Sequence, residues 1–252
     1  MDKYEQIAFI QGASRGIGLE LVAQLLAKHP ELGLFASCRR PEEATALARL
    51  VEAYPGRLVP LRLDVTEEGS IEAAADQVRA KTERLHLLVN VAGILHGSEL
   101  SPEKKLGHVR PEALREVFEV NAFGPLLVAK HFHRLLRHDE RSVFASVSAR
   151  VGSISDNRLG GWYAYRASKA AQNMFTKNIS IELGRIAPNT IVVGLHPGTV
   201  DTELSEPFQR NVSKGQLLSA TDSVASLLTV IDGLRKEDTG RVFDFRGVEV
   251  PP

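Results

Sequence analysis

The chain has 252 residues, of which 43% are hydrophobic, enough apolar content to close one large core, so disorder is excluded as its dominant state. Lys plus Arg and Asp plus Glu balance at 31 each, which leaves no net field to draw nucleic acid or an acidic membrane, and a small-molecule task fits better. Cys38 is the single cysteine and can close no intramolecular disulfide, no apolar run approaches the roughly 20 residues of a membrane helix, and the polar opening from Met1 to Glu5 does not read as a secretory signal, so a cytoplasmic protein is expected.

Short β-branched apolar runs alternate with longer stretches of helical period from end to end, which is the pattern of βα units building a parallel sheet. In chain order the strands are expected over residues 6–10, 32–37, 58–63, 85–89, 142–147, 190–195 and 241–245. The helices are expected over 17–28, 41–53, 71–82, 111–137, 163–185 and 221–234. Crossovers of this length force parallel neighbours. The expected fold is therefore α/β, a Rossmann-like doubly wound sheet of seven parallel strands with helices on both faces. No linker divides it, so one domain spans 1–252, with a cofactor half at about 1–150 and a catalytic and substrate half at about 140–252. The long non-periodic segments 93–110 and 197–220 both follow strands, where open α/β sheets place the ligand crevice.

The first strand runs directly into Gly12-Ala13-Ser14-Arg15-Gly16-Ile17-Gly18 and then a helix. A pyrophosphate suits that helix start, where unpaired N–H groups and the positive dipole end face it and glycines let the backbone approach. The spacing departs from the commonest dinucleotide fingerprint, and a ligand-free glycine turn is the alternative. The second strand ends Ala36-Ser37-Cys38-Arg39-Arg40 with no carboxylate from Leu32 onward, where an acidic residue would hold a ribose hydroxyl. Arg39, with Arg15 in the turn, offers guanidinium forks suited to a 2′-phosphate, so NADP(H) is expected over NAD(H); otherwise Arg39 and Arg40 are solvated loop charges.

On a helix over 163–185, Tyr165 and Lys169 lie about 40° apart on one face, whereas Tyr163 and Tyr165 point to opposite sides. A nearby ammonium favours the ionised phenol, so Tyr165 is the tyrosine placed for acid–base work; alone, such a pair is also an ordinary packing contact. The fifth strand ends at Ser148, just before the loop leading to this helix, and a hydroxyl there can hold a carbonyl or alkoxide oxygen. Ser146 lies deeper on the same face.

Gly12-x3-Gly16-x-Gly18, Asp64, Asn90-Val91-Ala92-Gly93, Asn121, Ser148, Tyr165-x3-Lys169 and Pro197-Gly198 stand in the order and spacing of the short-chain dehydrogenase/reductase family, which the chain resembles along its whole length. The stretches 156–169 and 195–202 look like its C-factor-like carbonyl reductases. The resemblance implies that Tyr165 exchanges the proton, Lys169 lowers its pKa and holds the nicotinamide ribose, Ser148 orients the carbonyl, and Asn121, at a helix kink, holds a water beside Lys169. It implies a cofactor site from Gly12, Ser14, Arg15, Gly16, Ile17, Gly18, Arg39, Asp64, Val65, Asn90, Ala92 and Gly93. Tyr165, Lys169, Pro197, Gly198, Val200 and Thr202 would complete it over the nicotinamide. Gln11 replaces the family's usual threonine and Val91 a polar residue, and both are expected to weaken the bracing of the cofactor loops.

The expected activity is interconversion of a small-molecule carbonyl and an alcohol, with no nucleic-acid or membrane partner. The alternative is a dinucleotide-binding signalling protein whose turnover is incidental, and an intact Asn121, Ser148, Tyr165, Lys169 set favours the enzyme. A sugar-nucleotide epimerase would need more chain after Pro197. His131 and His133 face opposite sides of a helix, so no metal site is expected. Apolar residues on several sides of the helices around Asn121 and Tyr165, together with the family's habit, imply a homodimer or homotetramer. Leu204, Phe208, Val212, Leu217 and Leu218 suggest an apolar lid.

Overall fold

A computed structural model describes Met1, residues 3–211 and residues 215–252. Seven strands form one sheet: β1 (Gln6–Gln11), β2 (Leu32–Cys38), β3 (Leu58–Arg62), β4 (Leu87–Asn90), β5 (Ser142–Val147), β6 (Thr190–His196) and, after two short strands, β9 (Val242–Asp244). The short pair β7 (Thr199–Val200) and β8 (Leu217–Leu218) forms a separate two-stranded ladder. The main sheet runs β3-β2-β1-β4-β5-β6-β9 and every pairing in it is parallel. All seven expected strands are present. The order reverses between β1 and β4, the switch point at which doubly wound sheets open a crevice.

The helices are α1 (Gly16–Lys28), α2 (Thr45–Ala53), α3 (Glu68–Arg79), α4 (Pro111–Phe118), α5 (Gly124–Phe132), α6 (Tyr163–Ile186) and α7 (Ala220–Gly233). Because successive strand residues point to opposite faces and both faces are covered, the strands read as continuous apolar runs. In β1, Ala8 and Ile10 join the core under α1, α2 and α7, while Ile7 and Phe9 join the one under α3, α5 and α6. Pro60 sits in β3 without cost because β3 is an edge strand.

Three expected helices differ, and the one expected over 71–82 runs three residues earlier as α3. The segment 41–53 opens with a 3-10 turn, Pro41–Glu43, before α2 begins. The segment 111–137 is broken where the resemblance implies a kink: between α4 and α5 the backbone takes a π-helical turn, Glu119–Phe123, around Asn121, and a 3-10 turn, His133–Leu136, follows α5. Gly124 lets that turn lie against β3's exit loop, since a Cβ there would stand 2.7 Å from Val65 Cβ. Among the described residues, no helix is long and apolar enough to cross a membrane.

Phe132 is fully buried, with its ring 4.5 Å from that of Phe9 across the sheet–helix interface. Phe132→Ala is expected to lower unfolding free energy by about 3–5 kcal/mol, read as a lower urea midpoint at unchanged m-value.

Candidate active site

The glycine turn fits against two backbones. Gly12 has φ 85° and a Cβ on it would stand 2.7 Å from Ala92 N, while one on Gly18 would stand 2.1 Å from Gly12 O. The N–H groups of Gly12 and Ala13 both donate to Ser37 O, at 2.9 Å each, tying the turn to the end of β2. The α1 N-terminus has no side-chain cap, so its first-turn N–H groups stay available to an anion beside the partly buried Ser14 and Ile17. The residues present therefore fit a dinucleotide pyrophosphate.

Around this turn stand the other expected cofactor residues. Arg39 is exposed and makes no ion pair among the described residues, whereas Arg40 pairs with Glu43 at 2.8 Å. Asp64 accepts from the N–H and hydroxyl of Thr66 (3.0 and 2.8 Å), and Val65 beneath it is buried. Asn90 is buried, donates to Ser146 Oγ at 3.2 Å, and its Oδ1 has no partner among the described residues. Arg15, expected free for phosphate, instead pairs with Glu203 at 2.9 Å, both side chains being exposed.

Gln11 overturns an expectation. Rather than loosening the loop, its buried Oε1 accepts from Ala92 N–H at 3.1 Å, and its backbone carbonyl accepts from Val91 N–H at 3.0 Å. The longer amide reaches the next strand's exit loop and braces it directly.

The catalytic candidates converge at the C-terminal edge of β5. The π-turn places Asn121 in the core, where its Nδ2 donates to Ile94 O (2.8 Å) and Ser168 Oγ (3.2 Å) while its Oδ1 accepts from Ile94 N–H (2.8 Å). A Cβ on Gly93 would lie 3.3 Å from that Oδ1 and 3.7 Å from Lys169 Nζ. Ser148 is buried and its hydroxyl donates to Asn173 Oδ1 at 2.6 Å. Lys169 Nζ donates to Val147 O at 2.8 Å and Gln172 Oε1 at 2.9 Å, and stands 5.9 Å from the Tyr165 ring centroid.

The electrostatics differ from the expectation. Tyr165 is 9% exposed, and burial pushes its phenol up to about 12, not down. Burial also pulls Lys169 down to about 7, so the amine is only partly an ammonium at neutral pH and exerts a weakened field on the phenol. His196, whose ring Nδ1 has no partner among the described residues, is pushed down to about 4 chiefly by burial.

The segment entering α6 is strained. Gly160, Gly161 and Trp162 all have left-handed backbones (φ 62°, 63° and 51°), and Trp162 is the one non-glycine with positive φ among the described residues. Glu103 secures it from the 93–110 loop: its carbonyl accepts from Trp162 N–H at 2.6 Å and its carboxylate from Ala164 N–H at 3.2 Å. An anion at that helix start also suits the dipole. Trp162 turns its indole to Tyr165 (6.2 Å) and Phe208 (5.0 Å), while Tyr163 is left 39% exposed, so Trp162 is the pocket-wall aromatic.

The loop expected as a lid packs beside the glycine turn. Pro197 O accepts from Ser223 Oγ at 2.7 Å, and Gly198, with φ 83°, packs against Leu218 and Phe245. The ladder of Thr199 and Val200 with Leu217 and Leu218 anchors the base of the loop, and Thr202 meets the glycine turn beside Gly16. Leu204 and Phe208 are half-buried; Val212 lies outside the described residues.

The family model described as short chain dehydrogenase matches residues 6–213. The chain belongs to the short-chain dehydrogenase family. It is an oxidoreductase of that family, similar to a carbonyl reductase and to the C-signal protein. An NADPH-bound carbonyl reductase from chicken fatty liver has the same fold at a TM-score of 0.87 and 30% identity, over 99% of this chain and 100% of that one. An uncharacterised oxidoreductase of Schizosaccharomyces pombe is 30% identical over 98% of both chains. The C-signal protein of Myxococcus xanthus is 41% identical over 146 residues, 58% of this chain and 82% of that protein.

In this short-chain dehydrogenase the sequence signals missed Glu103, Gln172 and Asn173. Gln172 and Asn173 stand three and four residues after Lys169, the helical spacing that sets side chains beside it, whereas Glu103 sits in an aperiodic loop that carries no such signal.

The Lys169 shift predicts a pH dependence of stability. Between about 7 and 10.5 the unfolded chain binds the proton that the folded chain has released, so stability rises with pH across that window and the deficit is complete below it. Lys169→Met removes this slope: the urea midpoint of wild type should rise relative to the variant between pH 6.5 and pH 9.5.

Proposed function

We propose that the protein is an NADP(H)-dependent oxidoreductase that interconverts a small-molecule carbonyl and an alcohol. The observation that carries this reading is the convergence of Ser148, Tyr165, Lys169 and Asn121 at one strand edge, beside a glycine turn whose helix start is uncapped. Bound nicotinamide supplies or accepts the hydride. The raised phenol of Tyr165 is fully protonated at neutral pH and is suited to donate its proton to a carbonyl oxygen, so the residues favour the reductive direction. Ser148 orients that oxygen once its hydroxyl turns from Asn173, and Lys169 holds the cofactor's ribose edge. Asn121 fixes the 93–94 loop opposite Lys169.

Arg39, exposed at the end of β2 with no carboxylate on that strand, is the residue for the 2′-phosphate. The likeness to an NADPH-bound carbonyl reductase supports the same choice. Phe123, Met174 and Ile181 leave apolar surface exposed near α5 and along α6, which supports a homodimer or homotetramer. A second reading, a dinucleotide-binding signalling protein in the cytoplasm, rests on the likeness to the C-signal protein.

Tyr165→Phe separates the two readings. It is expected to reduce NADPH-linked carbonyl reduction by at least about 100-fold while NADPH binding, measured by fluorescence, stays within a few-fold; a fully active variant removes the enzymatic assignment. Arg39→Glu is expected to shift the ratio of kcat/KM for NADPH over NADH by at least about tenfold towards NADH, and an unchanged ratio removes Arg39 from the phosphate site.

A further inference from the structure

Lys169 is 3% exposed and among the described residues no salt bridge reaches it. A buried cation without a counter-ion depends on hydrogen-bond acceptors for whatever charge it keeps. Two acceptors are present: Val147 O at 2.8 Å, at the end of β5, and Gln172 Oε1 at 2.9 Å, three residues further along α6. Gln172 is itself 2% exposed, and its Nε2 donates to the same Val147 carbonyl at 3.4 Å. Ammonium, amide and carbonyl thus close a three-membered circuit in which each buried polar group of Gln172 has a partner. Its place on the helix faces the sheet, where an aliphatic residue would pack without needing any partner.

An ammonium has three N–H donors and a neutral amine two donors and a lone pair. Val147 and Gln172 engage two donors in either state. One position of the nitrogen is left for the cleft, where a Cβ on Gly93 would lie 3.7 Å away and the Tyr165 ring centroid lies 5.9 Å away. Near Lys169 are Asn121 in the π-turn, whose Oδ1 shares the Gly93 approach with the amine, and the Arg150–Gly152 turn, whose Arg150 is engaged with Asp156 at 2.7 Å; Ser148, next in the chain to Val147, donates to Asn173. Of these side chains only Gln172 gives the amine an acceptor.

We propose that Gln172 is a positioning residue that stabilises the charged form of Lys169 and directs its remaining valence into the cleft. The proposal rests on the reading of Lys169 as the amine that holds the cofactor ribose. It has an electrostatic consequence that a packing role lacks: replacing the neutral acceptor with none and with an anion must move the amine's titration in opposite directions.

The test titrates Lys169 in the cofactor-free enzyme by the 13Cε shift of labelled lysine, with Lys169→Arg identifying the resonance. Gln172→Leu is expected to lower the midpoint by about one pH unit and Gln172→Glu to raise it by about one unit or more. NADPH dissociation constants measured against pH should show the same opposite displacements. Unmoved midpoints, or displacements of the same sign in both variants, overturn the proposal. Leucine suits a sheet-facing helix position, so Gln172→Leu decides the matter if the glutamate variant does not fold: a folded leucine variant with the wild-type midpoint is sufficient refutation. Because the titration needs no turnover, an active Tyr165→Phe would remove the catalytic assignment without touching this result.

Discussion

The site edge of this protein hangs on the seam between β1 and β4, where the backbone of Gly12 meets that of Ala92 so closely that no Cβ can stand between them. Gln11 stitches the same seam twice, through its carbonyl to Val91 N–H and its side chain to Ala92 N–H. Gly18 then lies against Gly12 O, which fixes the start of α1 relative to both strands. A parallel sheet leaves every strand's C-terminus at one edge, so tying β1 to β4 at the order reversal brings the glycine turn, the 93–94 loop and, through Asn121, the π-turn into a single rigid frame. Ser148 and Lys169 join that frame from β5 and α6.

Burial sets the chemistry of this frame more strongly than charge does. The simple expectation for a tyrosine one helical turn from a lysine is a lowered phenol pKa, but that requires a fully charged neighbour close to the hydroxyl. Here the same exclusion of water that raises Tyr165 also lowers Lys169, so the two shifts bring the groups' protonation towards neutrality together. A protonated phenol is a proton donor, so burial alone holds Tyr165 in the form that the proposed carbonyl reduction would use.

The sheet was legible in the sequence because parallel strands covered on both faces are continuous apolar runs, and all seven stand within two residues of where their patterns place them. The helical period was a poorer guide at 111–137. Apolar spacing there continues through Asn121, but the π-turn that turns Asn121 inward comes from tertiary contacts, the Gly124 approach to Val65 and the hydrogen bonds to Ile94, which no local pattern encodes. The family motifs located Tyr165, Lys169 and Ser148, but not the groups that hold them. Gln172 and Asn173 read as mid-helix polar residues until the fold sets them against the Lys169 amine and the Ser148 hydroxyl. Gln11 was misread for the same reason, since the reach of its amide matters only once β4's exit loop is in place.

Arg15 reconciles a sequence expectation with a structure that uses it otherwise. Its ion pair with Glu203 joins two side chains that are each about two-thirds exposed (69% and 68%), so the pair contributes about 0–1 kcal/mol and less as salt rises. The loop has firmer attachments: Phe208 packs at a tilt against Trp162 with centroids 5.0 Å apart and meets His96 edge-on at 5.8 Å, while His96 Nε2 lies 3.0 Å from Glu203 O. The ion pair is thus a weak tie, and the aromatic contact does not depend on it. That contact ends on Trp162, the strained residue that Glu103 clamps three positions before Tyr165. The loop, the helix start and Tyr165 are thus in contact through one side chain, the indole of Trp162.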